Sequence, residues 1–457
     1  MEKNENIELI TGNPKKAINK FAPPIILSMF LIFANNIIDS IWVSGLGSQP
    51  LASLGYITPL FLILVAIGNG IGAGGNSLIS RYIGAQDHNA ANNAAIHNLI
   101  LSIIISIIVT IVLIIAIKPL LYFMGASSVM KYATDYGFII FLCSFTFLMP
   151  PIIGGGFRAE GDIKRATLPI SLSAILNMIL DPIFIYVLHL GLSGAAISTA
   201  LSCFVCLLLM FYWIYIKNDT YLSYNLKDFH PDLKIYKDIL VVGIPASIEQ
   251  IILAILNILV NVMLTLLSGP VAVAVFTVGW RIISVGFLPA IGYGTATISV
   301  AGVAYGAKKY ENLTVIARYA VKGSFIVSII VCILINIFSY QIADIFAYTQ
   351  ATSNLKPAIA DFLKLMCLFI LFVPFGATAC NIFQGVGKGN FSLILTIIRE
   401  FALVLIFSYL LGFIFKMGIF GLYSGMLLGG CIGTFIAYIA VEYYIKLLIK
   451  KKNHEDS

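Results

Sequence analysis

Charged side chains are scarce in this chain of 457 residues: Asp, Glu, Lys and Arg make up 11% of it, and hydrophobic residues make up 60%. Soluble proteins carry about 25% charged residues, because polar side chains must cover the surface of each folded domain. A mean hydropathy of +0.97 therefore excludes one or several soluble domains. The composition also excludes a disordered, collagen-like or coiled-coil chain, and it indicates a polytopic membrane protein.

Residue types that metal and redox enzymes need are also few. The seven cysteines lie in apolar runs, and the one close pair, Cys203 and Cys206, has no second Cys or His pair at zinc spacing. We interpret these cysteines as packing residues of membrane helices. The five histidines are scattered along the chain and form no catalytic motif. We therefore expect neither an enzyme nor a resident cofactor.

Long apolar runs fill the chain, and twelve of them are long enough to cross a bilayer, which takes about 20 residues of helix. A β-barrel is disfavoured, because its strands are about ten residues long and alternate in polarity. We predict an all-α polytopic membrane protein with twelve transmembrane helices. The predicted segments are 17–43, 51–80, 93–117, 132–157, 165–188, 191–216, 236–266, 271–303, 315–340, 356–384, 392–415 and 418–449.

The positions of the basic residues orient these helices. Most of the 28 Lys and Arg residues lie at the two termini or in the loops that join segments 2–3, 4–5, 6–7, 8–9 and 10–11. The opposite loops hold Lys118, Lys131, Lys356 and Lys416. Because cytoplasmic loops concentrate Lys and Arg, the pattern predicts an even number of spans with both termini in the cytoplasm. The net charge of +7 then reports topology, and we expect no nucleic acid partner.

The two halves of the chain repeat each other. Glycine, proline and aromatic positions recur in the same order in both halves. The matched stretches are Pro24 with Pro245, 66–70 with 290–294, 82–85 with 304–307, and 157–162 with 383–388. Six helices separate each pair, so the copies have the same orientation and predict two six-helix lobes related by pseudo-two-fold symmetry. We place these lobes at residues 1–216 and 236–457, with a cytoplasmic linker at 217–235 and a cleft that opens to one side at a time.

Two glycine-rich stretches, 68–75 in segment 2 and 154–156 in segment 4, superficially suggest a nucleotide-binding loop. No strand precedes the first stretch, and no Gly-Lys-Ser/Thr follows it, so the phosphate-binding interpretation fails. We predict instead that these glycines allow helices to pack closely inside the membrane.

Few ionisable groups lie inside the predicted spans, where each costs roughly 2.5–3.5 kcal/mol on insertion scales. Asp39 lies late in segment 1, and Asp181 lies late in segment 5, four residues after Asn177 and just before Pro182. Segments 1 and 5 run in the same direction, so we expect both acids at a similar depth in the outer half of the membrane. With the Thr199 hydroxyl they offer oxygen ligands to a hard cation, or a carboxylate pair that shares a proton. A hydrogen-bonded pair that only joins helices is the structural alternative.

Four charged groups within spans of the second half are further candidates. Glu249, four residues after Pro245, is either a second acid site or a group near the cytoplasmic interface. Arg281 either pairs with Glu249 or forms another interhelical ion pair, which we favour. Arg399 and Glu400 are neighbours in sequence, so we expect them not to face each other on a helix. We predict that both reach toward the cytoplasmic interface.

The chain resembles the multidrug and toxic compound extrusion (MATE) family over essentially its whole length. The resemblance is carried by Asp39 to Val43, Gly84, Arg158 to Asp162, Asn177 to Pro182 and Gln384 to Gly387. It implies two six-helix lobes around a central cavity, and export of amphiphilic, often cationic compounds against entry of Na⁺ or H⁺. We expect a monomer that works by alternating access in the plasma membrane.

Within that family the chain looks most like the DinF-like branch, whose cation site lies in the N-terminal lobe. Carried over by position, the resemblance implies a site of Asp39, Asn177, Asp181 and Thr199 with a backbone carbonyl near Ala195. If the coupling ion is Na⁺, these residues are its ligands. Exporters of the NorM-like branch also use acids in the C-terminal lobe. The sequence matches one of those acids with Glu249, but residues 375–381 offer no acid in segment 10, which favours coupling through the N-terminal lobe.

The hypothesis is therefore an antiporter coupled to Na⁺ or H⁺. A cation from outside binds Asp39 and Asp181, which lets segment 1 bend at Pro23 and Pro24, while substrate and cation favour different states. The first alternative is a lipid-linked oligosaccharide flippase of a related fold, which needs more cationic groups than Arg281. A polytopic membrane enzyme needs an acid or histidine motif in a sizeable loop, and a channel needs no six-plus-six repeat.

Overall fold

The computed structural model describes residues 2–346 and 353–455. Over those residues the chain is helical and contains no β-strand. Ten helices are each long and apolar enough to cross a membrane, and two bent helix pairs add two more spans, so the twelve predicted spans are confirmed. We number them spans 1 to 12: Pro14–Ser44, Ser48–Gly84, His88–Phe123, the pair Ala126–Leu142 and Ser144–Ala159, Ile163–Val187, Gly191–Lys217, Leu233–Ser268, Pro270–Gly306, Tyr310–Ile337, the pair Lys356–Ile370 and Val373–Gly385, Gly389–Ile414, and Gly418–Glu455.

Spans 4 and 10, predicted as uninterrupted segments, are each broken near the middle. Span 4 bends by 43° around Cys143, and span 10 bends by 44° where its second helix begins at Val373. Pro374 lies in the first turn of that second helix. Proline favours this position because it has no N–H to donate to a preceding turn, and its fixed φ suits a helix start. The two breaks occupy corresponding places in the two halves of the repeat.

Span 5 changes its helical geometry directly after Pro182. The residues Ile183–Val187 form a wide π-helical turn, which Leu188 closes by donating its N–H to the carbonyl of Ile183 at 2.8 Å. Pro182 cannot donate to the regular i→i−4 ladder, so the widened turn begins where that ladder is interrupted. Asp181 therefore sits where the helix changes from α to π geometry.

Packing divides the described chain into two compact units. The first takes in the described part of Met1–Asn13 together with Pro23–Ile248, and the second takes in Pro14–Ala22 together with the described part of Glu249–Ser457. The chain changes unit three times, first between Asn13 and Pro14 and then twice inside long helices, spans 1 and 7. The change inside span 1 falls directly before Pro23, and the change inside span 7 comes three residues after Pro245.

Glycines bring spans 2 and 4 into close contact in the first unit. A Cβ added to Gly155 would lie 2.2 Å from the carbonyl oxygen of Gly72, and one added to Gly72 would lie 2.4 Å from the oxygen of Pro151. Spans 8 and 10 of the second unit meet in the same way, since a Cβ on Gly385 would lie 2.6 Å from the oxygen of Ile298. The glycine stretch of segment 2 is thus a helix-packing surface, as predicted.

The segment that joins spans 6 and 7 is bound to the first unit by side chains at the start of span 3. Asn93 makes two hydrogen bonds with the backbone of His230, both at 3.0 Å. The buried ring of His97 accepts the N–H of Asp232 at Nε2, at 3.1 Å. Its Nδ1 therefore carries the proton and donates to the carbonyl of Asn93 at 2.8 Å. The predicted linker is consequently a fixed part of this unit.

A buried acid holds the other end of the same segment. Glu160, directly after span 4, is 2% exposed and accepts the N–H of Leu222 at 2.9 Å. Beside it, Arg165 forms an ion pair with Asp219 at 2.7 Å, and these neighbouring charges lower the pKa of Asp219. Burial has the opposite effect on Glu160 and raises its pKa to about 8.

The raised pKa makes the stability of the first unit depend on pH. Because the folded protein favours the protonated acid, the contribution of Glu160 is complete below its ordinary pKa and is lost as the pH rises through about 8. Glu160→Gln keeps an acceptor for Leu222 but cannot ionise. We expect the variant to unfold at a higher temperature than the wild type at pH 9, by the equivalent of about 1 kcal/mol or more, and to match it near pH 5.

Thermal unfolding of the detergent-solubilised protein, followed across that pH range, measures the difference. The exposed acid Glu311, changed to Gln, is the matched control and is expected to leave the pH profile unaltered. Parallel profiles for the wild type and Glu160→Gln would contradict the assignment.

Candidate functional site

A polar cluster lies within the membrane-spanning helices of the first unit. Span 1 supplies Asn35 and Asp39, and span 5 supplies Asn177 and Asp181. In each pair the residues are four apart, so one turn of helix places both side chains on one face. Span 6 adds Thr199 and its neighbours. The structure thus brings together the residues that the sequence predicts from three separate helices.

Asp181 is at the centre of the hydrogen bonds in this cluster. Its side chain is fully buried, and its Oδ1 accepts Nδ2 of Asn177 at 2.7 Å. The hydroxyl of Ser198 also donates to the same oxygen. The carboxyl group of Asp39 is close enough to interact electrostatically with Asp181. Two acidic groups therefore share one buried site.

The backbone of span 6 completes the cluster. The hydroxyl of Thr199 donates to the carbonyl of Ala195 at 2.8 Å. The oxygen of the Ser198 hydroxyl, whose single proton is donated to Asp181, lies 3.0 Å from the same carbonyl oxygen. Nδ2 of Asn177 is 3.5 Å from the Thr199 hydroxyl. The predicted carbonyl of Ala195 thus contacts Ser198, which contacts Asp181, and Thr199, which contacts Asn177.

Three oxygen atoms of the cluster lack a donor when both acids are ionised. Within residues 2–346 and 353–455 they are Oδ1 of Asn35, Oδ1 of Asp39 and Oδ2 of Asp181, and a proton shared between the two carboxyl groups would bond one acid to the other. Within those ranges, no Lys or Arg forms an ion pair with Asp39 or Asp181. Buried oxygen atoms without donors carry a large free-energy cost, which a cation or a proton relieves. Carboxylate, amide and hydroxyl oxygens are the ligands that a hard cation prefers.

The sequence interpretation missed two members of the cluster, Asn35 and Ser198. A signal for each was present, because Asn35 lies one helical turn before Asp39 and Ser198 lies three residues after Ala195. Serine and asparagine are common enough in membrane helices that spacing alone does not single them out. Their contacts with span 5 became evident only in the folded chain.

Glu249 belongs to a separate polar group in the second unit. Its Oε2 accepts Nε2 of Gln384, in span 10, at 3.2 Å. Its Oε1 is buried and has no donor within the described ranges. The predicted pairing of Arg281 is wrong: this side chain is exposed, and the described residues show no ion pair to it. The neighbours of Glu249 are therefore the amide of Gln384, the hydroxyl groups of Ser392 and Thr396, and the charge of Arg399, and not Arg281.

The prediction for Arg399 and Glu400 is also wrong. Nη1 of Arg399 lies 2.8 Å from Oε1 of Glu400, and the two side chains are 9% and 12% exposed. They lie in Ile397–Leu403, a π-helical stretch of span 11. A π-helix turns through a smaller angle per residue than an α-helix, so adjacent side chains diverge less and can meet. The pair is therefore enclosed within the second unit, and the two side chains bind each other.

Glycines make room for Arg399. A Cβ on Gly376 would lie 2.3 Å from Nη1 of Arg399, and a Cβ on Gly433 would lie 2.5 Å from its Cα. The first clash involves the end of a flexible side chain, whereas the second involves backbone. Span 12 can therefore pack against the arginine only where position 433 has no side chain.

Gly433→Ala is expected to destabilise the second unit by about 1–3 kcal/mol, the usual effect of overpacking a close helix contact. Gly55→Ala is the matched control, since a Cβ there meets nothing within 4 Å and the residue is exposed on span 2. Thermal unfolding of both variants in detergent measures the difference. Equal unfolding temperatures for the two variants would show that the contact at Arg399 is not tight.

Comparison with known proteins identifies the family. The MatE family model matches residues 24–183 and 245–410, once in each half of the chain. The chain belongs to the MatE family. The two matched ranges begin at Pro24 and Pro245, which are the positions that the repeat pairs with each other.

Relatives of this MatE protein cover nearly all of its length. Multidrug export protein MepA from Staphylococcus haemolyticus (strain JCSC1435) is 24% identical over 428 residues, which is 93% of each chain. A crystal structure of MATE in complex with MaL6 is 37% identical and covers 97% of this chain and 99% of its own, with a TM-score of 0.95. A MOP superfamily transporter from Pyrococcus furiosus Vc1 (DSM3638) is 37% identical over 97% and 98% of the two chains, with a TM-score of 0.94. The protein is thus a multi-pass membrane transporter of this family.

Proposed function

We propose that this protein exports amphiphilic, cationic small molecules in exchange for Na⁺ or H⁺. The observation that carries the coupling is the pair of acids, the half-buried Asp39 and the buried Asp181, without a basic partner among the described residues. The name of the MepA relative, a multidrug export protein, supports the class of substrate. Two carboxyl groups that share one buried site favour uptake of one positive charge, which is the requirement for coupling to a cation.

The cation and the substrate must favour different conformations for exchange to occur. A cation at Asp39 relieves repulsion between span 1 and span 5, and its departure restores that repulsion. Span 1 is therefore the element whose position depends directly on the cation. The change of packing unit between Ala22 and Pro23 supports a bend at Pro23 and Pro24, because proline interrupts the helical hydrogen bonds there.

We also infer that the protein is a monomer in the plasma membrane. We infer that both termini lie in the cytoplasm, because basic residues are concentrated on that side. The flippase alternative requires cationic groups beyond Arg281. Arg399 is buried within the second unit and is already paired with Glu400. It therefore gives the flippase alternative no support.

Asp39→Asn and Asp181→Asn are each expected to lower ion-driven export at least tenfold. A neutral amide at either position cannot bind and release a positive charge in each transport cycle. The measurement is efflux of a fluorescent cation from proteoliposomes under an imposed Na⁺ gradient and, separately, an imposed H⁺ gradient. The gradient that drives wild-type export identifies the coupling ion.

Asp344→Asn is the control, since this acid is exposed and pairs with Lys356. It is expected to export as the wild type does. Full ion-driven export by both Asp39→Asn and Asp181→Asn would overturn the proposal, and export without any gradient dependence would overturn the antiport mechanism.

A further inference from the structure

Asn35 belongs to the first-unit cluster, and the proposed function assigns it no role. It lies on span 1, one turn before Asp39, and its Nδ2 donates to Oδ1 of Asn177 at 2.9 Å. The bond joins span 1 to span 5, and it is made to the same amide that donates to Asp181. The two asparagines and the acid therefore form a chain of hydrogen bonds.

This chain of hydrogen bonds determines whether the oxygen or the NH₂ group of the Asn177 amide faces Asp181. Oδ1 of Asn177 accepts from Asn35, so its NH₂ group points the other way and donates to Asp181 at 2.7 Å. In this arrangement the amide serves the carboxylate as a hydrogen-bond donor. A cation beside Asp181 needs the opposite end, because an amide oxygen binds a cation and an N–H group repels it.

The pair of amides can reverse without losing the bond between them. A half-turn of a primary amide exchanges its oxygen and its NH₂ group at nearly the same positions. If both amides turn, Nδ2 of Asn177 donates to Oδ1 of Asn35, and Oδ1 of Asn177 faces Asp181. Oδ1 of Asn35 is buried and has no donor within the described residues, so it is available as an acceptor.

The remaining neighbours of Asn177 tolerate either orientation. Its Nδ2 lies 3.2 Å from the hydroxyl of Ser198 and 3.5 Å from that of Thr199. A hydroxyl group can rotate and donate to an oxygen at that position, and Ser198 then gives up its bond to Asp181, or Thr199 gives up its bond to Ala195. The orientation of the Asn177 amide is therefore set by Asn35 on one side and by Asp181, with or without a cation, on the other.

We propose that Asn35 is a positioning residue for the cation site. It holds the Asn177 amide as a donor to Asp181 when the site is empty, and as a cation ligand when the site is filled. The inference rests on the proposed function, since it takes the cluster as the site of the coupling ion. It predicts that the chemical character of position 35 determines the affinity for the ion, although the residue is not one of the acids.

Two substitutions have opposite expected effects. Asn35→Leu has no polar group, so cation binding would leave the buried NH₂ group of Asn177 without an acceptor, and we expect the affinity to fall about tenfold. Asn35→Asp keeps an acceptor for that NH₂ group, cannot donate to its oxygen when ionised, and adds negative charge. We therefore expect Asn35→Asp to bind the cation more tightly than the wild type. A residue that only held spans 1 and 5 together would weaken binding in both variants.

Ion binding to the full chain in lipid nanodiscs measures these affinities. Trp42 follows Asp39 by three residues on span 1, and with Trp213 and Trp280 changed to Phe its fluorescence reports on this part of the helix. The titrations use NaCl against choline chloride at constant ionic strength and, separately, pH in choline chloride alone. Asn36→Leu is the matched control, because Asn36 is the exposed neighbour of Asn35, and it is expected to titrate as the wild type does.

Asp39→Asn in the same assay separates this inference from the proposed function. The expected result is loss of the response in Asp39→Asn, weaker binding in Asn35→Leu and tighter binding in Asn35→Asp. A lost response in Asp39→Asn beside an unaltered Asn35→Leu, or equal weakening in both Asn35 variants, would overturn the role of Asn35 alone. A response to neither ion in the wild type, or a normal response in Asp39→Asn, would overturn the proposed function and this role with it.

Discussion

The negative charge of Asp39 and Asp181 inside apolar helices is the constraint on which the first unit depends. Burying a carboxylate without a basic partner is unfavourable, and two such groups near each other add repulsion. The surrounding side chains reduce this cost only in part, because Asn177 and Ser198 donate to a single oxygen of Asp181. The site therefore remains short of one positive charge, and this shortage supports the proposed coupling of an external ion to the arrangement of spans 1 and 5.

The second unit repeats the helices of the first but treats charge differently. Its buried arginine, Arg399, is paired with Glu400, and its other buried acid, Glu249, is bound by the amide of Gln384. Positive charge is thus supplied within the protein, whereas Asp39 and Asp181 of the first unit have no basic partner among the described residues. The two units share helix packing through glycines, so the backbone repeat has been kept while the polar groups have diverged. This asymmetry supports coupling through the first unit.

Prolines and backbone-binding side chains determine which parts of the chain move together. The segment between spans 6 and 7 is held to the first unit by Asn93, His97 and Glu160, so it is not a loose tether. Two of the changes of packing unit fall close to Pro23 and Pro245, inside helices that continue through them. Each proline removes a backbone hydrogen bond from the helix that contains it.

Hydrophobic length and the distribution of Lys and Arg determined the twelve spans from the sequence alone, because the bilayer requires closed helices of a minimum length. The same scarcity of charge made Asp39 and Asp181 recognisable. Their spacing to Asn177 then predicted one face of span 5, since helical periodicity is local.

The tertiary structure decided what local periodicity does not contain. Asn35 and Ser198 join the cluster only because spans 1, 5 and 6 come together. Arg399 meets Glu400 because span 11 widens at that point, which violates the α-helical spacing from which the opposite expectation came. In an α-helix, the spacing of residues in the sequence predicts which of them share a face. Contacts between helices depend instead on how glycines, prolines and π-turns position the backbones.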